Sequence, residues 1–278
     1  MAIVGAGSLA TFLAVALHKC GYFVTEIISR NSPRPLRPAR TLASKAGARA
    51  VTMRTATLDA ELLWLCVPDR AIREAASSLA TRAKGKVRFA FHSSGALLSR
   101  ELESLRKGGT AVASVHPLMT FVPGSHPSLA GVPFALEGDA VATRLARRVV
   151  RDLGGKSFAL PAARKAAYHA WATFTSPLWL AFLVTMEEAA LTAGLTRTDA
   201  RRMSMPIIRQ TLENYSRLGP EHSFSGPIIR GDATTVAKHL VVLKKYPAVR
   251  DVYVALARAT LDRLPARNQT ELQRLLKN

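Results

Sequence analysis

Ile3-Val4-Gly5-Ala6-Gly7-Ser8-Leu9-Ala10 is the stretch on which the reading of this chain turns. A short apolar run over residues 2–4 leads into Gly-x-Gly-x-x-Ala. Residues 8–20 then repeat apolar side chains at helical spacing: Leu9, Phe12, Leu13, Ala16 and Leu17. Each small residue has its own task. Gly5 permits a tight turn, Gly7 lets backbone approach a pyrophosphate, and Ala10 lets the helix pack closely on the strand. A helix starting there directs free N–H groups, those of Ser8, Leu9 and Ala10 among them, and the positive end of its dipole toward phosphates. Glycine and alanine are common, so the pattern alone says little. Between a strand and a helix it points to a dinucleotide site, with a plain tight turn as the alternative.

Outward from that turn the first half keeps alternating. Residues 22–28, 62–67, 87–91, 110–115 and 133–136 read as short strands. Residues 69–83, 98–107 and 140–153 read as helices. This order specifies an α/β fold, a Rossmann-type doubly wound parallel sheet. No strand is expected after Pro161. Residues 162–193 form an Ala-rich helical run ended by Gly194. A second runs over 198–218, with Thr198 or Asp199 near its cap and Pro206 expected to kink or interrupt it. Asp232 opens a third and Pro247 a fourth, and residues 268–276 make a short last helix. The composition changes near Pro161, which predicts a dinucleotide-binding domain over 1–160 and an all-helical C-terminal domain over 161–278.

Composition narrows the function classes. Of 278 residues, 48% are hydrophobic and 21% charged, which excludes a disordered or low-complexity chain. Two cysteines, Cys20 and Cys66, offer neither a disulfide framework nor zinc spacing, and they read as buried thiols of a reducing, cytoplasmic compartment. Thirty-nine Lys and Arg against 19 Asp and Glu leave a charge of +20. The basic residues are dispersed and no recognition motif accompanies them, so no nucleic-acid partner is expected. The opening residues lack a basic region and a cleavage site. Residues 166–186 carry no formal charge and are long enough to span a bilayer, yet they hold His169, three threonines, Ser176 and Pro177, and two glutamates follow. A helix buried in a core or a dimer is expected there, not a membrane span.

The second strand's end reports on the dinucleotide. It reads Ile27-Ile28-Ser29-Arg30-Asn31-Ser32, with no acid at the tip to accept from a ribose 2′-hydroxyl. Arg30 can pair with a 2′-phosphate, and Ser29, Asn31 or Ser32 can hydrogen-bond it, which favours NADP over NAD. A solvated basic loop is the alternative.

With Cys66-Val67-Pro68-Asp69, Phe91-His-Ser-Ser-Gly-Ala96, Ser114-Val-His-Pro-Leu118, Tyr168-His169 and Ser225-Gly-Pro-Ile-Ile-Arg-Gly-Asp232 added, the chain resembles bacterial Rossmann-like proteins with a DUF2520 C-terminal domain. These are relatives of pyrroline-5-carboxylate reductase, ketopantoate reductase and the 6-phosphogluconate dehydrogenase-like superfamily. The resemblance implies an NADP-binding first domain, with Val67 and Pro68 at the cofactor, and a helical second domain that forms a homodimer. It implies no substrate. The family tends to carry Asn near position 177. Pro177 cannot hydrogen-bond through its side chain, which weakens any transfer of substrate chemistry from relatives.

Residues for proton handling follow the strands. Ser93 and Ser94 can donate to a carbonyl or carboxylate, or cap the helix that follows. His116, in His-Pro-Leu, is similar to the His-Pro-Met segment of prephenate dehydrogenases, where the histidine contacts the substrate hydroxyl. With an ordinary imidazole pKa near 6.5 it would exchange protons near neutrality. Lys165 and His169 lie one turn apart on one helix face. Related β-hydroxyacid dehydrogenases place a catalytic lysine near the start of that helix; a solvated lysine and a core histidine are the plain readings. Arg230 is a candidate anion ligand or ion-pair member, and Asp232 a helix cap. No metal-binding motif occurs. The expectation is an NADP(H)-dependent oxidoreductase acting on a small anionic carbonyl, imine or hydroxy compound. The rival is a non-catalytic NADP(H)-binding sensor or scaffold.

Overall fold

The structure is a computed structural model that describes every residue except Ser32, His126 and Asn278, and omits the side chains of residues 33–35. The chain divides into two compact units, Met1–Thr173 and Phe174–Asn278.

The first unit runs β1 (Ala2–Val4), α1 (Ser8–Lys19), β2 (Glu26–Ser29), α2 (Pro33–Ala46), β3 (Arg49–Thr52), β4 (Leu62–Leu65), α3 (Asp69–Ala83), β5 (Phe89–His92), α4 (Glu103–Arg106), β6 (Ala111–Pro117), β7 (Pro133–Gly138), α5 (Ala140–Asp152), β8 (Lys156–Ala159) and α6 (Lys165–Thr175), whose last two residues fall past its end. The strands form one sheet in the order β3-β2-β1-β4-β5-β6-β7-β8. All neighbours are parallel except β6 and β7, which are antiparallel. Alternate residues feed two cores. Ile27, Trp64 and Phe91 pack with Leu13 and Leu17 of α1 on one face; Ile28, Leu63 and Leu65 pack with Ile72 and Leu79 of α3 on the other. A strand buried on both faces has to be apolar throughout, which is why Leu62-Leu63-Trp64-Leu65 shows no alternation.

The acid inside β2 has a structural task. Glu26 is fully buried and accepts from Arg49 Nη2, from Thr57 N and Oγ1, and from Leu58 N, at 2.9–3.1 Å. Four donors compensate its desolvation and tie β2 to the loop before β4. Of the two cysteines expected to be buried, Cys20 is exposed, its thiol donating to Asp152 O at the surface. The reason is that Cys20 is the C-cap of α1, past Leu17, the last residue the helix buries.

After α6 come α7 (Pro177–Leu191), α8 (Arg197–Ser223), α9 (Pro227–Arg230), α10 (Ala233–Leu243), α11 (Pro247–Arg263) and α12 (Gln269–Lys277). Val236, Leu240, Val254, Leu261 and Leu272 form the second unit's core. The run expected over 162–193 is divided. Ser176 leaves helical torsions (φ −136°, ψ −74°) and Pro177 begins a new helix, as its missing N–H and ring demand. Among the described residues no helix is long and apolar enough to cross a membrane. Pro206 does not interrupt α8; the break lies at Gly219 (φ 75°, ψ 174°), immediately before Pro220. A proline disfavours helical torsions at the residue before it, and Gly219, without a Cβ, adopts a positive φ at little cost where Met205 before Pro206 would not. The cap of α8 is Thr196, whose Oγ1 accepts from Asp199 N at 3.1 Å, not Thr198 or Asp199. Asp199 stands at the third helical position, and its Oδ2 accepts from the Thr196 hydroxyl at 2.8 Å in return.

Candidate functional site

Beyond the ends of β1, β2 and β4 lies a cleft of about 790 Å³ lined by Gly5, Ala6, Gly7, Ser29, Arg30, Asn31, Val67 and Pro68 among others. Gly5 N donates to Ile28 O at 2.8 Å, and the backbone turns there at φ +113°. A Cβ on Gly5 would stand 2.3 Å from Cys66 O, so the turn closes against the β4 end only with glycine. Gly7 differs. It caps α1 without a side-chain bond, no acid occupies the first turn, and a Cβ there would meet nothing within 4 Å. Gly7 thus leaves bare amides and open space where a pyrophosphate would lie, and the residues present fit a dinucleotide. Ala10 is fully buried, as close helix–strand contact requires; Leu9 packs against the same core, and Ser8 is half-buried in the first turn of α1.

At the β2 tip Arg30 is exposed and lines the cleft. Asn31 also lines it, with Oδ1 accepting from Arg54 N at 2.9 Å. Ser29 is buried and its hydroxyl faces Val51 O at 3.3 Å, so its expected bond to a phosphate competes with a strand contact. The reading of Ser32 falls outside the described residues. Arg70, on the first turn of α3, brings a second guanidinium to the cleft wall, and sequence reasoning passed over it. Its signal was its place immediately after Val67-Pro68-Asp69. Ser93 is not on the cleft wall: its hydroxyl accepts from Trp64 Nε1 at 2.8 Å and pairs with the Cys66 thiol, which burial pushes up to about 12.

The remaining candidates meet at the ends of β5 and β6. Ser94 Oγ donates to Asp69 Oδ2 at 2.7 Å and accepts from Ala96 N and Leu97 N, so it fastens the loop; it does not cap a helix as its plainer reading had it, because the next helical turn starts at Ser99 with Leu98 at its cap. Ser94 O accepts from Ser114 Oγ at 3.1 Å, and Ser114 Oγ accepts from the Lys165 ammonium. Lys165 is 1% exposed, and no carboxylate among the described residues lies within ion-pair distance. Burial lowers it to about 8, against the opposing charges of Glu137 and Asp69. A lysine in that range can give or take a proton near neutral pH.

His116 departs from its expectation. Its Nδ1 is hydrogen-bonded to the Tyr168 hydroxyl at 2.8 Å. Burial, and then the charges of Lys165, His169 and His92, push its pKa down to about 4. It is a neutral imidazole at pH 7, not the proton exchanger its ordinary pKa suggested, because the cationic form is desolvated beside a buried ammonium. On α6 the buried face holds Lys165 and Tyr168; His169 is half-buried, its ring 6.3 Å from that of His116. Both imidazoles close on Gly95, where a Cβ would come within 2.6 Å of His169 Cδ2 and 2.8 Å of His116 Nε2. Neither Tyr168 nor Gly95 was singled out for chemistry from the sequence. In the second unit, Asp232 caps α10 through Thr235 N at 2.9 Å, and Arg230 is exposed at the end of α9.

A mainly parallel, doubly wound sheet with a glycine turn after its first strand, followed by a helical half, defines a Rossmann-type dinucleotide-binding architecture. Family models agree: the Rossmann-like domain matches residues 1–117 and the domain of unknown function DUF2520 matches residues 132–260. The chain thus carries a Rossmann-like domain followed by a DUF2520 domain. No curated protein matches it significantly in sequence. Among solved structures it is similar to a candidate NADP oxidoreductase from Bacteroides fragilis, at 22% identity and a TM-score of 0.78, covering 94% of this chain and 97% of that one. A protein from Thermotoga maritima aligns at 24% identity and 0.71, covering 98% and 99%. An imine reductase from Myxococcus stipitatus in complex with NADP+ aligns at 15% and 0.66, covering 94% and 93%. At these identities the likeness establishes the fold.

Proposed function

We propose that the protein is an NADP(H)-dependent oxidoreductase acting on a small anionic carbonyl, imine or hydroxy compound. The observation that carries this reading is the adjacency of two features at the C-terminal ends of the central strands β4 and β5. Asp69, exposed, accepts from the buried Ser94 of the polar cluster, while its neighbour Arg70 lines the glycine-turn cleft. The cofactor, when bound, supplies or accepts hydride at its nicotinamide ring. The turn at Gly5 and Gly7 and the first amides of α1 hold the pyrophosphate, and Arg30, with Arg70, pairs with the 2′-phosphate. Lys165 holds the exchangeable proton, its ammonium held in place by the Ser114 hydroxyl. Its ammonium, buried without a carboxylate, also favours a substrate that brings negative charge. His116 and His169 orient the reacting group beside Gly95. The NADP+ held by the imine reductase of the same fold supports this cofactor reading. The helical half pairs with a second copy of the chain.

The test is consumption of NADPH against a panel of small 2-oxo acids, aldehydes, cyclic imines and hydroxy acids. Turnover with at least one class, faster with NADPH than with NADH, is expected. Tight NADPH binding with no turnover across the panel would replace this reading with that of a cofactor-sensing or scaffold protein.

A further inference from the structure

His116 and Tyr168 form a hydrogen-bonded pair that leaves one imidazole nitrogen without a protein partner among the described residues. His116 Nδ1 and the Tyr168 hydroxyl are 2.8 Å apart, and the rings meet edge to face at 5.6 Å. A phenol O–H is a far stronger donor than a neutral imidazole N–H, and an imidazole nitrogen is a better acceptor than a phenol oxygen. The bond is therefore polarised from Tyr168 to Nδ1. Lys165, His169 and His92 surround the ring with cationic or ionisable groups and it is largely buried, so it carries one proton only. The other nitrogen, Nε2, bonds to no described residue and is not among the buried unpartnered atoms. It lies over Gly95, where a side chain would close on it.

We propose that Tyr168 is a positioning residue that fixes His116 as the Nε2–H tautomer, a neutral donor aimed at the reacting heteroatom. This rests on the cluster being the oxidoreductase site, and it narrows the substrate. A carbonyl oxygen has lone pairs for an Nε2–H and gains negative charge as hydride arrives, which the donor stabilises. A protonated imine has no lone pair on nitrogen and brings a positive charge beside the Lys165 ammonium. The site accordingly favours C=O, with a carboxylate on the same molecule, over protonated C=N, unlike the substrate class in the name of the imine reductase that shares its fold.

Long-range proton–nitrogen NMR of histidine-labelled protein at pH 7 reads the tautomer without any turnover, with His116→Asn assigning the signal. The expected spectrum shows His116 protonated at Nε2, and Tyr168→Phe mixes the two tautomers. Protonation at Nδ1 in the wild type overturns the proposal, and that spectrum decides even where Tyr168→Phe does not fold. An unchanged tautomer in a folded Tyr168→Phe protein also overturns it. In the activity arm, Tyr168→Phe lowers 2-oxo acid turnover about tenfold with NADPH affinity unchanged. Faster turnover of cyclic imines than of 2-oxo acids by the wild type would contradict the substrate class while leaving the oxidoreductase reading in place.

Discussion

Lys165 gathers the costs and uses of the site in one side chain. Its buried ammonium is held by a hydroxyl, not a carboxylate, and its pKa falls to about 8 from an ordinary 10.5. The sign of the linkage follows from proton counts. Between about pH 8 and 10.5 the unfolded chain binds a proton that the folded chain does not, so this group makes stability rise with pH across that window. Below pH 8 both states are charged and the folded state carries the desolvation cost in full. Lys165→Met is therefore expected to leave Tm at pH 7 unchanged or higher while turnover falls on the order of 10²–10⁴-fold; a lower Tm together with retained turnover would make Lys165 a structural residue. The histidines work on the acid side. His92, fully buried, donates from Nε2 to Leu98 O while its Nδ1 accepts from Ser94 N, and burial lowers it, like His116, to about 4. From pH 6.5 down to 4 the unfolded chain takes up protons that these rings refuse, so stability falls as pH drops through that window, on the order of 3 kcal/mol for His92. Urea midpoints at pH 7 and 4.5 measure the drop, and His92→Gln should remove much of it. Residue types and helix spacing brought Lys165, His116 and His169 forward from the sequence. The displacement of their pKa values was not legible, because burial is produced by strands far apart in the chain.

At the scale of elements, the β1–turn–α1 unit separates folding from binding in two glycines with Ala6 between them. Gly5→Ala meets Cys66 O at 2.3 Å and demands a left-handed torsion, so a fall in Tm is expected. Gly7→Ala meets nothing within the protein, so Tm should hold while NADPH affinity falls tenfold or more, roughly the loss of one charge-assisted hydrogen bond. Thermal melts beside cofactor titrations distinguish the two, and equal effects of both variants on Tm would contradict the geometry. This unit was legible because its signals are local: apolar run, small-residue turn, helical spacing. The strand β4 and the helices α3 and α5 were legible for the same reason. Other elements hid their signals. The helix α2 itself holds Pro33, Pro35 and Pro38, a composition that reads as loop. The strands β3 and β8 are edges with little buried surface, and all four residues of β8 are exposed. The antiparallel turn from β6 to β7 depends on register between distant segments, and no sequence spacing reports it.

At the scale of the molecule, apolar surface in the helical half calls for a partner. The helix α7 is nearly all apolar yet buries only Glu187 deeply, leaving Leu178, Trp179, Leu180, Val184 and Leu191 exposed. Contiguous exposure of that kind marks an association surface, and a second copy is the proposed occupant. Light scattering at micromolar concentration should give twice the chain mass, and Leu180→Glu should return monomers; a monomeric wild type would remove the dimer. The excess of 20 positive charges was legible as dispersed, and the structure places two of its arginines, Arg30 and Arg70, on the cleft wall. Binding of NADP(H) in that cleft is the claim on which the rest stands. Calorimetric titration of NADPH and NADH into the wild type and Arg30→Ala tests it most directly. The expected result is tighter NADPH binding to the wild type, weakened about 10- to 100-fold in Arg30→Ala with NADH nearly unchanged. Equal losses for both cofactors, or no binding of either by the wild type, would contradict it.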